Sequence, residues 1–203
     1  MAKLSDRIIL FDIDGTLFDS RGFGMMVFPK IVKLIGKEER IIKKASQEYF
    51  SKLESGTDFQ PDDFLQHLST RFSKDLKSLK SIFNNKNFYR KSLYEEVPKV
   101  LKRLIKNFTL GIYSEGFIEF QKKKLIYSGI FSYFDSKFIY ISRRKLKDIN
   151  KDSLPKRCYI VDNSIEVVKK LAHRYNSIWI NRENKQDSYS PTITSLDQLI
   201  NLL

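Results

Sequence analysis

The chain has 203 residues, of which 41% are apolar and 30% charged, and its formal net charge is +13. A chain of this length buries roughly 70% of its unfolded surface, which suits one domain, or one domain that carries a smaller insert. Its apolar runs fall short of the ~20 residues that cross a bilayer, so we expect no membrane-spanning helix. The amino-terminal segment places acidic residues directly after a very short apolar run, unlike a secretory signal. We therefore expect a cytoplasmic protein without a membrane partner.

The positive charge comes mostly from lysines that are distributed along the whole chain. A basic surface attracts nucleic acids and small anionic substrates alike. A nucleic-acid-binding face is expected to cluster arginines and aromatic residues, and no such cluster is apparent here. We therefore favour a solvated basic surface and keep nucleic acid as a less favoured partner. The single cysteine, Cys158, lies in an apolar run and is interpreted as a small buried hydrophobe.

Taken in chain order, short apolar runs alternate with amphipathic segments. The runs that predict strands are 7–11, 108–113, 137–141, 157–161 and 177–180. The segments that predict helices after the first strand and its long insertion are 97–106, 117–127, 164–175 and 195–203. The first run is almost entirely apolar, as expected of a parallel strand that is buried on both faces. The alternation predicts an α/β fold, a doubly wound parallel sheet with helices on both faces.

Residues 20–93 interrupt this alternation with amphipathic helical stripes and little strand signal. The clearest stripes lie at 41–53, 64–72 and 76–83. The stretch is far longer than the ~2–6 residues that usually join a strand to a helix. We therefore predict an α/β core domain from residues 1–19 and 94–203, and an inserted α-helical cap domain from residues 20–93. The cap is expected to cover the carboxyl ends of the strands.

Polar side chains follow three of the predicted strands, namely Asp12, Ser114 and Asp162. Ligands bind beyond the carboxyl ends of the strands in open parallel sheets, so these side chains are expected to converge. Asp14 joins them because residues two apart on an extended segment project to the same side. Carboxylates gathered without arginine partners repel one another, and a hard cation relieves that repulsion. The residues therefore predict a magnesium site at this edge of the sheet.

The string DIDGTLFDS at 12–20 closely resembles the first motif of the haloacid dehalogenase-like hydrolases, which carries the signature DxDGT. The other motifs of that family follow in order. Ser114 ends a hydrophobic strand, a lysine lies near 145–147, and IVDNSIEVV at 160–168 resembles the fourth motif. The resemblance covers essentially all of the chain outside the insert. It implies a Rossmann-like core and an enzyme that hydrolyses phosphate monoesters with Mg²⁺.

The resemblance also implies a role for each matching acid. Asp12 is expected to be the nucleophile that forms an aspartyl-phosphate. Asp14 is expected to protonate the leaving alcohol and then to activate the water that releases phosphate. Asp12, the backbone carbonyl of Asp14 and Asp162 are expected to hold the metal. Asn163 and Glu166 are expected to orient ligands or bound waters, and a solvated Glu166 is a competing interpretation.

The phosphate group has its own expected partners. Ser114 and the backbone amides of Glu115 and Gly116 are expected to hold phosphate oxygens, and Thr16 of the first motif is expected to contact substrate. Glu115 departs from the family pattern, in which asparagine is common, and adds a negative charge that is expected to alter substrate choice. The basic run 121–124 predicts a solvated helix face.

A lysine is expected to neutralise charge on Asp12 and on the phosphoryl group. The string SRRKLK at 142–147 offers Lys145 and Lys147, and lacks the Lys-Pro pair common among capped members. The following stretch resembles that of the carboxy-terminal-domain phosphatase branch, and this alignment favours Lys147. We therefore predict Lys147 and keep Lys145 as the alternative.

A cap that closes over the site favours a small phosphorylated metabolite as substrate, and the protein is expected to be a monomer or homodimer. The alternatives are a phosphomutase or phosphotransferase of the same family, a nucleic-acid end phosphatase, and a non-catalytic module that binds phosphorylated ligands. A dehalogenase is disfavoured because Asp14 supplies the acid and base that phosphoryl chemistry needs. The non-catalytic module is disfavoured because binding alone does not require a nucleophile and an acid together.

Overall fold

The computed structural model describes residues 7–148 and 154–203. Its strands are β1 (Ile8–Phe11), β2 (Thr109–Glu115), β3 (Ile139–Ser142), β4 (Tyr159–Asp162), β5 (Asn176–Ile180) and β6 (Thr192–Ile193). They form one sheet in the order β3–β2–β1–β4–β5–β6, and every pairing between them is parallel. The predicted α/β fold with a parallel sheet is confirmed, and β6 is a short edge strand that the sequence pattern did not indicate.

The position of β1 explains why its sequence is so apolar. It lies between β2 and β4, with Leu10 in register with Gly111 on one side and with Ile160 on the other. Ile9, Leu10 and Phe11 are completely buried, because neighbouring strands and the helices on both faces cover them. The order of the chain reverses between β1 and β4. The carboxyl ends of these two central strands therefore form the topological switch point.

Five helices lie between β1 and the helix that precedes β2. They are α1 (Ser20–Ile35), α2 (Glu39–Phe50), α3 (Pro61–Phe72), α4 (Leu76–Phe83) and α5 (Lys86–Lys91). The three predicted stripes correspond to α2, α3 and α4. The side chain of Asp19 caps α1 by accepting from the amide of Gly22, and α1 ends at Gly36 in a left-handed conformation. Among the described residues, no helix is long and apolar enough to span a membrane.

The two linkers of this helical insert lie side by side. Phe18 pairs with Leu93 in an antiparallel bridge, and the amide of Asp19 donates to the carbonyl of Ser92 at 2.7 Å. The buried side chains of the insert form one continuous apolar cluster with Ile9, Phe11 and other residues of one sheet face. The division into a core domain and a cap domain remains a prediction.

The remaining helices flank the sheet. They are α6 (Val97–Leu104), α7 (Ile118–Ser128), α8 (Lys145–Asp148), α9 (Ile165–Leu171) and α10 (Leu199–Leu202). α7 follows β2 and packs against α5 of the insert, so it joins the two parts of the molecule. Cys158 is fully buried next to β4, and burial raises the pKa of its thiol to about 12. Its interpretation as a small buried hydrophobe is therefore confirmed.

Candidate active site

The structure brings Asp12 and Asp162 together at the switch point of the sheet. Asp12 directly follows β1, and Asp162 is the last residue of the neighbouring strand β4. Both carboxylates contact one ammonium group, that of Lys145, whose Nζ lies 2.9 Å from Oδ1 of Asp12 and 2.6 Å from Oδ2 of Asp162. The other Asp162 oxygen, Oδ1, accepts from the amide of Ser164 at 2.8 Å. Two acids that are 150 residues apart in the chain thus meet at one point, as their strand-ending positions predict.

The structure places Lys145, the alternative, at the two carboxylates, and not Lys147, which was predicted as the site lysine. Lys145 is 2% exposed and reaches the two carboxylates, whereas Lys147 is exposed to solvent. Lys145 is the first residue of α8, and its amide donates to Oε2 of Glu115 at 2.9 Å. Two residues along a helix correspond to a rotation of ~200°, so Lys147 cannot share the face of Lys145. The alignment that favoured Lys147 gave no information about which of the two lysines faces the acids on α8.

Burial and pairing set the charge states of this trio. Burial raises the pKa of Asp12 to about 7; the charge of Lys145 opposes this rise, and the charges of Asp162 and Asp14 contribute to it. Burial alone would lower the pKa of Lys145, but Asp12 and Asp162 together raise it above its usual value, so the lysine is an ammonium ion. The site is therefore two crowded carboxylates that share one fixed cation.

The turn after Asp12 depends on a glycine. Gly15 has φ +76°, and a β-carbon there would lie 2.3 Å from Nδ2 of Asn163. Asn163 packs against this turn, and its carbonyl accepts from Nε1 of Trp179 at 3.1 Å. Thr16 is fully buried, and its hydroxyl has no hydrogen-bond partner within the described residues. The contact between Thr16 and substrate remains a prediction.

Asp14 is held by a second group of polar side chains. The Nζ of Lys124 lies 2.6 Å and 2.8 Å from its two carboxylate oxygens, Nε2 of Gln121 donates to Oδ2 at 2.7 Å, and the hydroxyl of Ser20 donates to Oδ1. Burial alone would raise the pKa of Asp14, but the charge and hydrogen bond of Lys124, with Ser20 and Gln121, lower it. The Asp14 side chain is thus a carboxylate that is paired separately from Asp12 and Asp162.

The prediction that the run 121–124 is a solvated helix face is wrong. Gln121 and Lys124 are 2% and 5% exposed, because they lie on the side of α7 that faces Asp14. Leu125 and Ser128 are buried on the same face, and Lys122 and Lys123 lie outside it. The spacing 121, 124, 125 and 128 is that of a buried helix face. The charge of the three lysines favoured the solvated interpretation, although the helical spacing of the buried residues indicates a buried face.

The residues at the carboxyl end of β2 and directly after it make contacts that differ from the predicted ones. The hydroxyl of Ser114 is buried and accepts from Nε2 of Gln121 at 3.3 Å. The amide of Gly116 donates to the carbonyl of Ser142 at 2.8 Å, so it is not free to hold a phosphate oxygen as predicted. The carboxylate of Glu115 accepts from the amide of Lys145 and from the hydroxyl of Thr57 at 3.0 Å. Glu115 therefore positions Lys145 and contacts the insert.

A polar clasp joins the helical insert to the sheet near this site. Asp58, in the turn before α3, accepts from Nη1 and Nη2 of Arg144 at 2.8 Å and 2.7 Å, and it also pairs with Arg143. Thr57 adds its hydrogen bond to Glu115. The hydrogen bond from Arg144, with that from Arg143, lowers the pKa of Asp58 to about 2. The clasp ties the insert directly to the segment that carries Lys145.

We expect Asp58→Asn to loosen this clasp in a pH-dependent way. A carboxyl group whose folded pKa is lowered stabilises the fold above its unfolded pKa of ~3.9, and this contribution is lost as the pH falls through the folded value. Since the folded pKa of Asp58 is about 2, the variant should be less stable than the wild type near neutral pH and should approach it towards that value. Urea denaturation across this range measures the difference.

Asp62→Asn is the matched control for Asp58→Asn, since Asp62 pairs with Lys80 on the exposed surface of the same insert. Exposed ion pairs contribute little to stability, so its denaturation midpoint should stay close to that of the wild type. Equal and pH-independent losses in both variants would contradict the clasp.

Arg182 is a further residue that the sequence did not reveal. It follows β5 in a stretch that reads as a polar loop, yet its Nη2 donates to the carbonyl of Thr16 at 2.8 Å. The same guanidinium pairs with Glu96 at 2.7 Å and lies over the ring of Tyr94 at 3.7 Å from its centroid. Arg182 thus stabilises the turn after Asp14 through the Thr16 carbonyl. No local sequence pattern predicts this long-range hydrogen bond.

The donor set of this site fits a magnesium ion. Mg²⁺ prefers oxygen ligands and is usually held by one or two carboxylates, with water and substrate phosphate completing its shell. Asp12 and Asp162 supply two adjacent carboxylates, and the carbonyl of Asp14 is the third predicted donor. Among the described residues, no group of three or more His, Cys, Asp or Glu side chains is arranged to hold a metal. The Asp14 carboxylate accordingly lies with Lys124 rather than with the other two acids.

We compared the chain with protein-family models, with curated proteins and with solved structures. A family model described as haloacid dehalogenase-like hydrolase matches residues 7–157. A search of curated proteins gives no match. Among solved structures, the chain is similar to the HAD-hydrolase YfnB from Bacillus subtilis bound to magnesium, with a TM-score of 0.63 and 19% identity over 99% of both chains.

Three other solved structures show the same likeness. A haloacid dehalogenase-like hydrolase from Burkholderia xenovorans has a TM-score of 0.71 at 18% identity, over 98% of this chain and 96% of that one. A HAD phosphatase from Thermococcus onnurineus has a TM-score of 0.64 at 22% identity, over 97% of each chain. A structure described as a dehalogenase also matches, with a TM-score of 0.56 at 18% identity. At these identities the structural likeness shows the fold.

Proposed function

The chain belongs to the haloacid dehalogenase-like hydrolases, and on that basis we propose that it is a magnesium-dependent phosphatase acting on a small phosphate monoester. The observation that carries the proposal is the placement of Asp12, whose buried carboxylate is fixed by Lys145 beside Asp162. A nucleophile for phosphoryl transfer needs a nearby positive charge that stabilises the transferring group. Asp14, two residues along, adds a group that can carry a proton.

In the proposed first step, a carboxylate oxygen of Asp12 attacks phosphorus as the bond to the alcohol oxygen breaks. Asp14 donates its proton to that oxygen, and the alcohol leaves. In the second step the Asp14 carboxylate takes a proton from water, the water attacks phosphorus, and phosphate leaves Asp12 as a free carboxylate. A bound Mg²⁺ would neutralise charge on the phosphoryl oxygens. The ammonium group of Lys145 opposes the effect of burial, so it favours the carboxylate form of Asp12, and it holds that side chain beside Asp162.

Lys124 is expected to position Asp14 for both proton transfers. Its lowering of the Asp14 pKa favours the carboxylate that the second step needs. For the first step Asp14 must be protonated, and the negative charge of a bound phosphate group favours that form. Lys124 and Gln121 hold the two carboxylate oxygens in fixed positions. The residues of α7 therefore serve as the support of the proposed acid and base.

We expect Lys124→Met to lower kcat/KM about tenfold or more, since general acid-base catalysis contributes ~10²–10⁴-fold and its proton carrier would be misplaced. The loss should be larger for alkyl phosphates than for 4-nitrophenyl phosphate, because nitrophenolate leaves readily without a proton. Steady-state kinetics on both substrates measure this difference. Lys122→Met, on the same helix but outside the face that meets Asp14, is the matched control. Equal losses for the two substrates would show that Lys124 is merely structural.

The proposed function is tested by a substrate screen with Mg²⁺. The purified protein is incubated with phosphorylated metabolites, alkyl phosphates and aryl phosphates, and in parallel with 2-haloacids, while free phosphate and free halide are measured. We expect phosphate release that EDTA abolishes and added Mg²⁺ restores. Halide release without phosphate release would overturn the proposal in favour of a dehalogenase. Transfer of phosphate to a second hydroxyl, detected by product analysis, would indicate a phosphomutase.

A further inference from the structure

A cavity of about 730 Å³ extends from Asp14 into the helical insert. Its walls come from α1, α2, the ends of α3 and α4, and the face of α7 that carries Gln121 and Lys124. Its volume lies in the range of ~300–1,000 Å³ that is typical of sites for small molecules. Since Asp14 lines it, the cavity begins at the side chain that is proposed to protonate the leaving alcohol.

The walls beyond this entrance are apolar. The buried side chains of Phe23, Ile31, Phe64 and Phe83 face the cavity, together with other aromatic residues of the insert. The hydroxyl of Ser46, which also lines it, donates to the carbonyl of Ile42 in its own helix at 2.8 Å.

At the entrance, the polar groups already bind one another. Lys124 and Gln121 hold the carboxylate of Asp14, and Thr57 donates to Glu115. The exposed side chains of Lys43 and Gln47 lie on the outer part of the lining. The rest of the lining is mainly aromatic and aliphatic and therefore offers few hydrogen-bonding partners.

One face of α1 lines the cavity and includes an exposed glycine. Ser20, Gly24, Val27 and Ile31 follow one another at helical spacing along the cavity wall. A β-carbon built at Gly24 meets no atom within 4 Å, so packing does not require glycine there. Glycine inside a helix costs roughly 0.5–1 kcal/mol relative to alanine, and here it leaves space beside the cavity.

We propose that this cavity binds the leaving group of the substrate, and that this group is an apolar alcohol with an alkyl chain or an aromatic ring. The inference rests on the proposed function, since it assigns a substrate class to that same site. A sugar or polyol phosphate would lose hydrogen bonds to water on entering aromatic walls, whereas an apolar chain gains from leaving water. The phosphate would lie at Asp12 and the chain would extend past Asp14 into the insert.

The test is a homologous series of n-alkyl phosphates, from butyl to octyl, compared with glycerol 3-phosphate and glucose 6-phosphate. Burial of one methylene is expected to raise kcat/KM about three- to fourfold. Gly24→Phe should flatten this rise by filling the cavity while leaving Asp12, Asp14 and Lys145 in place. Met25→Phe is the matched control, because Met25 is 68% exposed on the same helix and does not line the cavity. Thermal unfolding confirms that both variants are folded.

A binding measurement separates this inference from the proposed function. Calorimetric titration with 1-naphthol, an apolar alcohol that lacks phosphate, should show binding that Gly24→Phe weakens and Met25→Phe leaves unchanged. Asp12-dependent hydrolysis that favours the polyol phosphates, with no gain along the alkyl series, would overturn the inference and leave the phosphatase intact. Binding of 1-naphthol by a protein that hydrolyses none of the phosphate esters would support the apolar site and overturn the phosphatase.

Discussion

Asp12→Asn is expected to reduce phosphate release by about 10⁴-fold or more, a loss comparable to that seen when a nucleophile is removed from a hydrolase. The amide oxygen of asparagine carries no charge, is a poor nucleophile and cannot form the covalent intermediate. The side chains have the same shape, and Lys145 retains its contact with Asp162, so the variant should fold. Initial rates of phosphate release with Mg²⁺, measured at equal concentrations of folded protein, give the ratio.

Asp197→Asn provides the control for this variant, because Asp197 is exposed near the end of the chain. Its rate should equal that of the wild type. Turnover by Asp12→Asn at the wild-type rate would show that another residue is the nucleophile. Wild-type protein that binds phosphate esters without turning them over would support the non-catalytic module instead.

Lys145→Met is expected to affect both stability and activity. Its side chain is almost fully buried between two carboxylates, and removal of one partner from a buried ion pair typically costs about 3–5 kcal/mol. Asp12 and Asp162 would then repel each other without a fixed cation. We expect a lower free energy of unfolding, and phosphate release reduced by about 10²-fold or more, since a preorganised charge that stabilises the transferring group is lost.

The comparison with Lys147→Met makes this second prediction specific. Lys147 is exposed on the same short helix, so its loss should change neither stability nor activity measurably. Added Mg²⁺ should recover more stability in Lys145→Met than in the wild type, because the ion would replace the missing positive charge between the acids. Urea denaturation with Mg²⁺ and with EDTA measures this. Loss of activity in Lys147→Met, with normal activity in Lys145→Met, would show that Lys147 is the site lysine, as the sequence alignment predicted.

The helical insert has two proposed functions: the polar clasp attaches it to the sheet, and the cavity binds the leaving group of the substrate. The clasp through Asp58 ties the insert to Arg143 and Arg144, next to the lysine that holds Asp12. The cavity lies between the same insert and α7, which supports Asp14. Loosening of the clasp is therefore expected to change substrate affinity as well as stability, since both walls of the cavity depend on how the insert is seated.

The sequence by itself determined the strands β1 to β5 of the sheet and the two acids at its switch point, but not the edge strand β6. A parallel strand that is buried on both faces must be apolar along its length, so each strand and its first polar residue can be read from a short window. Asp12 and Asp162 follow from this rule alone, and their convergence follows from the parallel arrangement of β1 and β4.

The tertiary structure alone decided the residues that surround those acids. Three contacts depend on which way a helix or loop faces its neighbours. They are the contact of Lys145, rather than Lys147, with Asp12, the buried contact of Lys124 with Asp14, and the hydrogen bond from the Gly116 amide to Ser142. A charged side chain has the same local pattern whether it meets solvent or a buried carboxylate. Its partner lies up to 133 residues away in the chain, as for Lys145 and Asp12, so the choice rests on packing that no short stretch of sequence encodes.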